Sequence, residues 1–265
     1  MPSAKLSVVS ALFLAALLAG CSTQPLDLTA KMTPEELYAQ AKEEIFGLQY
    51  AKGIELLEKL EGRAAGTPLA QQAQLDKAHA HYKNEEPAQA IATLERFMRL
   101  HPASPAIDYA LYLKGIVNFN EDKGLFSSIT RQDLSERDQQ AAKESFAAFK
   151  ELVTRFPNSR YAPDASARMT YIVNSLAEYE VHVARYYYSR GAYVAAVGRA
   201  QQAIADYRDA PALEEALHIL VQSFEALQLP QLRDDARRVL EANYPQSPYI
   251  TGKARLRQDP WWKLW

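Results

Sequence analysis

The sequence predicts an all-α, right-handed solenoid of about five helix-turn-helix repeats, and three observations predict it. Proline marks recur along the chain at Leu100-His101-Pro102-Ala103-Ser104, Phe156-Pro157-Asn158-Ser159, Tyr207-Arg208-Asp209-Ala210-Pro211 and Tyr244-Pro245-Gln246-Ser247. Proline cannot continue a helix and pushes the residue before it out of helical space, so each mark closes one helix before the next opens. Pro211 and Pro245 stand 34 positions apart, the period of the tetratricopeptide unit. Small residues fall in register where two helices of such a unit must approach closely.

The elements follow in order. The first unit runs from Pro34 to about Leu60, with Leu37, Ala41, Tyr50, Gly53 and Leu57 at its signature positions. Residues 71–104 give Ala78, Ala90 and Leu94 and end in Pro102. The third unit is irregular: one helix over about Ala106 to Asn120, a second from about Asp138 to Phe156, and the projecting loop EDKGLFSSITRQDLSER (121–137) between them. The fourth opens with a long helix from Pro163 towards Arg190, stopped by Ser189-Arg190-Gly191, and residues 177–210 give Ala184, Tyr187, Tyr193, Ala196 and Ala203. The fifth takes about Ala212 to Leu227, breaks at Leu229-Pro230 and resumes until Tyr244. Fifteen tyrosines against ten glycines suit helices packed through small residues, with rings to spare for surfaces.

The amino terminus reads as an address. Lys5 precedes the apolar run LSVVSALFLAALL (6–18), which has the length of a secretory signal and is too short for a convincing bilayer span. Leu18-Ala19-Gly20-Cys21 resembles the bacterial lipoprotein processing box, in which the cysteine is lipidated and the chain is cut before it. The alternative is an ordinary thiol beside a cleavage site. Cys21 is the one cysteine, which excludes an intramolecular disulfide. Each buried methylene of an attached fatty chain contributes about 0.8 kcal/mol, and two or more chains anchor durably. Ser22 in place of an aspartate favours the outer over the inner membrane, by resemblance to lipoprotein sorting. The expected division is therefore signal 1–20, lipidated Cys21 and tether 21–32, repeats 33–160, repeats 161–248, and a tail 249–265.

Removing residues 1–20 takes one lysine and no acid from a chain of net charge −2, which leaves −3 and no bulk electrostatic case for nucleic acid. Catalysis finds no support either. The closest histidines, His79 and His81, lie two positions apart on different helix faces, and His101, His182 and His218 stand alone, so surface or groove roles are expected for all five. Gly-rich phosphate loops, G-x-S-x-G and H-E-x-x-H are absent. The acidic pairs Glu43-Glu44, Glu85-Glu86 and Glu214-Glu215 read as solvated charge. No enzyme, metal or cofactor is expected beyond the N-acyl and S-diacylglycerol lipid on Cys21.

The stretches AHYKNEEPAQAIATLERFMRLHP (80–102), IDYALYLKG (107–115), RFPNSRYAPDA (155–165) and LAEYEVHVARYYYSRGAYVAAVGR (176–199) resemble the BamD family of outer-membrane assembly lipoproteins. The resemblance runs from about residue 30 to 245 and includes the long third-repeat loop. It implies a periplasm-facing lipoprotein of the β-barrel assembly (BAM) machinery that works beside the barrel-forming BamA and other BAM lipoproteins. Its amino-terminal repeats would receive unfolded outer-membrane proteins, and its carboxy-terminal repeats would dock the POTRA region of BamA. The rivals are another periplasmic repeat scaffold, as in cell-envelope or pilus assembly, and a peptidoglycan-cleaving lipoprotein.

A curved stack of helical pairs offers a groove to an extended or amphipathic peptide, and Tyr38, Leu75, His79, Tyr82 and Tyr109 are candidates to line it. For the BamA face the candidates are Tyr186, Tyr187, Tyr188, Arg190, Tyr193 and Arg199. Three consecutive tyrosines cannot all face one side at 100° per residue, so at least one is exposed. Arg199 could grip a partner carboxylate with two prongs, and Arg199→Glu is expected to weaken BamA capture without unfolding the chain. The tail YITGKARLRQDPWWKLW sets Lys253, Arg255, Arg257 and Lys263 beside Trp261, Trp262 and Trp265, which suits a partner groove or a lipid interface.

Overall fold

The computed structural model describes residues 29–119 and 136–252, with the side chains of 136–138 excepted. Cys21, most of the 121–137 loop, and Trp261, Trp262 and Trp265 lie outside the described residues. Ten helices make up the described chain: α1 (Pro34–Phe46), α2 (Tyr50–Arg63), α3 (Pro68–Lys83), α4 (Pro87–Leu100), α5 (Ile107–Asn118), α6 (Glu136–Arg155), α7 (Ala162–Ser189), α8 (Tyr193–Asp206), α9 (Leu213–Ala226) and α10 (Pro230–Asn243). Among the described residues no helix is long and apolar enough to cross a membrane.

Local chemistry fixes where the helices start. Thr33 and Glu36 form a reciprocal capping box at α1, and the Thr67 hydroxyl accepts from the Ala70 amide at α3. Proline occupies the first turn of α1, α3, α4, α7 and α10, where its missing N–H costs nothing.

The turn inside four of the pairs is one motif. Leu48, Glu85, Gly191 and Gln228 all have left-handed φ, at 62°, 59°, 75° and 58°. The following amide reaches back five residues each time: Gln49 to Glu44, Glu86 to His81, Ala192 to Tyr187 and Leu229 to Phe224, at 2.8–3.0 Å. This is a Schellman closure, and only the fourth pair gives the strained position to glycine. The proline marks form a second recurrent turn, in which Ser104, Ser159, Ala210 and Ser247 each donate an amide proton to the carbonyl three residues before.

Packing follows the small-residue register. Ala41, Ala78, Ala90, Ala184, Ala196 and Ala203 are wholly buried. A Cβ on Gly53 would stand 2.5 Å from Ile45, and one on Gly115 would stand 2.3 Å from the Phe149 ring, so α5 and α6 can close only over glycine. There the buried Ser145 hydroxyl donates to the Gly115 carbonyl at 2.8 Å.

Each helix packs on its chain neighbours, and the odd-numbered helices also touch one another, α1 on α3, α3 on α5 and α7 on α9. In a stack that bends, the layer whose members approach each other lies inside the bend, so the odd helices form the inner layer. The core falls into three clusters, centred on Leu37 to Ala73, Leu75 to Leu176 and Ala177 to Ala236. The 28-residue α7 passes unbroken from the second to the third, so the core changes at 176/177 while the chain turns at 160/161.

Candidate functional site

Each inner helix buries two flanks, against its own partner and against the preceding pair, which leaves a narrow stripe free. On α3 that stripe is Gln72, Asp76, His79 and Lys83, spaced four, three and four apart. On α1 it is Tyr38 and Lys42, on α5 Tyr109, Tyr112 and then Phe119, and at α7 Tyr161, Asp164, Arg168 and Tyr171.

These stripes join into one strip. The Tyr38 hydroxyl donates to Asp76 Oδ2 at 2.8 Å, Lys42 Nζ reaches the same oxygen at 3.2 Å, and Gln72 donates to Oδ1 at 3.1 Å. Burial, and then the Asp76 hydrogen bond, hold the Tyr38 phenol well above its ordinary pKa. Burial, then the field of Asp76, push Tyr109 up to about 12. Burial and the charges of Lys83 and Lys42 lower the pKa of His79, against a smaller opposing pull from Asp76.

Beyond Tyr109 the strip is aromatic. Its ring lies 5.6 Å from Tyr161, which stacks on Tyr112 at 4.7 Å and 19°. The Tyr112 hydroxyl and Arg168 Nε both donate to Asp164 Oδ2, at 2.8 and 2.7 Å. Burial works to raise Asp164, but the bonds from Arg168 and Tyr112 outweigh it and bring the carboxyl below its usual range. The Arg168 guanidinium then covers Phe119 at 4.7 Å, and Phe119 meets the edge of Tyr171 at 5.7 Å.

The expected groove residues divide. Tyr38, His79 and Tyr109 lie on the strip, and Tyr82 is half-buried one turn along α3 with Lys83 over its ring at 5.4 Å. Leu75 does not line a groove: it is 3% exposed and packs in the core with Leu94 and Leu111. Asp76, Tyr112, Phe119, Tyr161, Asp164, Arg168 and Tyr171 were missed. Tyr112 stands in IDYALYLKG and Tyr161 and Asp164 in RFPNSRYAPDA, so two of the stretches that carried the family resemblance are those that meet here.

The second group gathers at the α7–α8 turn. Tyr186 is half-exposed, its ring 5.9 Å from Tyr187 and covered by the Arg190 guanidinium at 5.3 Å. Tyr187 and Tyr188 rest on the core, and Tyr188 meets Tyr193 at 5.5 Å. Val194 beside them is 73% exposed. Arg199 is not brought to this group. Six residues along α8 place it about 9 Å from Tyr193, and its Nη1 donates at 3.0 Å to Glu180, a carboxylate buried on α7. It already holds a carboxylate of its own chain, so Arg199→Glu would set two acids together and strain the fold.

Two further expectations change. Glu215 is not solvated charge: Arg185 grips it with both prongs, at 2.5 and 2.7 Å. His218 is buried rather than at a surface or groove, and Tyr249 stacks on it at 4.5 Å, so the start of the tail covers the last inner helix. Burial lowers the His218 pKa against a smaller pull from Glu215.

A family model described as outer membrane lipoprotein (YfiO) matches residues 30–240. The outer membrane protein assembly factor BamD of Neisseria meningitidis serogroup A is 47% identical over 253 residues, covering 94% of this chain and 95% of that protein. This chain belongs to the BamD family. The BamD of Vibrio cholerae is 34% identical over 239 residues, 90% of this chain and 99% of that one. Among solved structures, a putative kinesin light chain of Podosopora anserina with TPR-like repeats aligns at TM-score 0.38 and 13% identity, covering 82% of this chain and 100% of that one.

Proposed function

We propose that this chain is a lipid-anchored, periplasm-facing outer-membrane component of the β-barrel assembly complex that binds other chains and converts none. The strip from Tyr38 to Tyr171 carries the reading. It runs across four inner helices, α1, α3, α5 and α7, and alternates rings with hydrogen-bonding charges. An unfolded barrel strand alternates aromatic or apolar side chains with polar ones and has an unpaired backbone. Rings such as Tyr109, Tyr161 and Phe119 suit the first, and Asp76, Asp164 and Arg160, which donates to the Tyr161 hydroxyl at 2.6 Å, suit the second. Because Asp76 fixes Tyr38, Asp164 fixes Tyr112, and Tyr109, Tyr161 and Phe119 pack on neighbouring rings or on Arg168, little side-chain freedom is lost when a strand is laid on them.

BamA docks through its POTRA region at the α7–α8 turn, where Tyr186 and Arg190 form an exposed ring and cation of the kind that anchors interfaces. Two or more fatty chains on Cys21 hold the body to the membrane, and Trp261 and Trp262 add a docking segment. The test is a split of function: Tyr112→Ala with Tyr161→Ala should weaken binding of a synthetic carboxy-terminal barrel strand and spare BamA co-purification, while Tyr186→Ala with Arg190→Ala should do the reverse. Loss of both activities by either pair would overturn the assignment of faces.

A further inference from the structure

The first pair carries an apolar knob that the reading above does not use. Phe46, at the end of α1, is 91% exposed, and Leu48 two residues on is 69% exposed. Leu48 also holds the left-handed φ of 62° that glycine fills without strain, and burial does not keep it there. The repeats supply their own controls, because the same turn recurs in other pairs. The places of Phe46 and Leu48 are taken by Lys83 and Glu85 in the second pair, by Ser189 and Gly191 in the fourth, and by Ala226 and Gln228 in the fifth. Among the described turns of this kind, only the first sets large apolar side chains at both places.

The first pair also holds the tether. Arg63, the last residue of α2, donates through Nη1 to the Thr29 carbonyl at 2.6 Å and to the Met32 carbonyl at 3.3 Å, and Thr29 is buried. The chain that leads back to Cys21 is therefore fastened to this pair. Eight residue steps separate Cys21 from Thr29, a span of at most about 28 Å. With 13 residues, α1 is about 20 Å long. A bilayer that holds a lipid on Cys21 is thus within reach of the α1–α2 turn, even with the tether running back along α1. The charges from residue 40 to 54, Lys42, Glu43, Glu44 and Lys52, cancel, so the knob has no basic patch to draw it to an anionic surface.

We propose that Phe46 and Leu48 seat in the interfacial layer of a zwitterionic bilayer, as a second membrane contact beside the lipid on Cys21. The proposal rests on the lipid anchor of the reading above. A single tether leaves the body free to swing, whereas a second contact on the same pair sets its tilt. Exposed apolar side chains gain by entering the headgroup and acyl boundary, and the gain adds to that of the fatty chains. Tyr38 stands on the same helix, so the contact holds that end of the strip at a set height above the membrane.

The test uses the lipidated full chain in vesicles of phosphatidylethanolamine and phosphatidylcholine. A nitrobenzoxadiazole fluorophore is placed on Ala51→Cys beside the knob, or on Ala88→Cys at the matching place of the second pair; both alanines are exposed. Spin-labelled lipid should quench the probe at 51 about twofold more than the probe at 88, and added phosphatidylglycerol should not widen the difference. Phe46→Gln with Leu48→Gly should abolish it and leave thermal stability equal or higher, since both side chains are exposed and glycine suits the turn. Flotation with the vesicles reports the anchor separately. A chain that floats without excess quenching at 51 overturns the seat alone, and a chain that does not float overturns the anchor and the seat with it. Equal quenching at both places, an excess that survives in the double variant, or a change at 51 that requires BamA rather than lipid would also overturn the seat.

Discussion

The inner strip, which runs from the first repeat to the start of the fourth, and the α7–α8 turn use the same residue types in opposite ways. In the strip the charges lie at the surface and bind the rings: Asp76 holds Tyr38, and Asp164 holds Tyr112. At the turn Tyr186 is left half-exposed under Arg190, and the ion pairs lie elsewhere, where Glu180 meets Arg199 and Glu215 meets Arg185 to fasten α7 to α8 and α9. The first arrangement makes a rigid platform, suited to many extended chains in turn. The second makes a firm edge with loose rings on it, suited to one partner with its own pockets.

The contrast can be broken by mutation, and the largest effect is expected inside the fourth repeat. Arg199→Glu should cost about 3 kcal/mol in urea unfolding, somewhat less than a fully buried pair because Arg199 is half-exposed. The double variant with Glu180→Arg should recover part of that loss, and an undiminished cost would refute the pairing. Next comes Gly115→Ala beneath the strip, which drives Phe149 from its place and should cost about 2 kcal/mol. A smaller step separates the two surfaces directly. Asp76→Ala should lose about 1 kcal/mol with its bonds to Tyr38 and Lys42, whereas Arg190→Ala should stay within about 0.5 kcal/mol because it releases only an exposed ring.

The smallest effect is in acid. Burial lowers the pKa of His79 on the strip and of His218 beneath Tyr249, from an ordinary 6.5. Below that pH the unfolded chain takes up protons that the folded one resists. Stability is therefore intact above about pH 7 and falls as the pH drops through 6.5 towards the lowered folded values. Replacing either histidine with asparagine should flatten that fall by a fraction of a kcal/mol. An acid limb identical to that of the parent would show that the imidazoles titrate alike in both states.

What could be read from the residues alone was the skeleton. Proline and the small-residue register are backbone constraints, local in sequence, and they placed the fifth pair to within a residue or two of α9 and α10. Strips and pairs depend on which flank of a helix meets which neighbour, and periodicity does not carry that. Leu75 is a groove candidate by sequence, but an inner helix buries both apolar flanks and leaves the polar stripe through Asp76 facing out. Sequence spacing does not pair Arg199 with Glu180, which lies 19 positions away on another helix. The left-handed Leu48, Glu85 and Gln228 were equally hidden, since a turn known for glycine was filled without it.

The most direct measurement is photo-crosslinking in intact cells from a benzophenone residue at position 112 or at position 186. Position 112 should capture unfolded outer-membrane proteins and little BamA, and position 186 should capture BamA and little substrate. Both partners appearing equally at both positions would contradict the division of one helical stack into a platform and an edge.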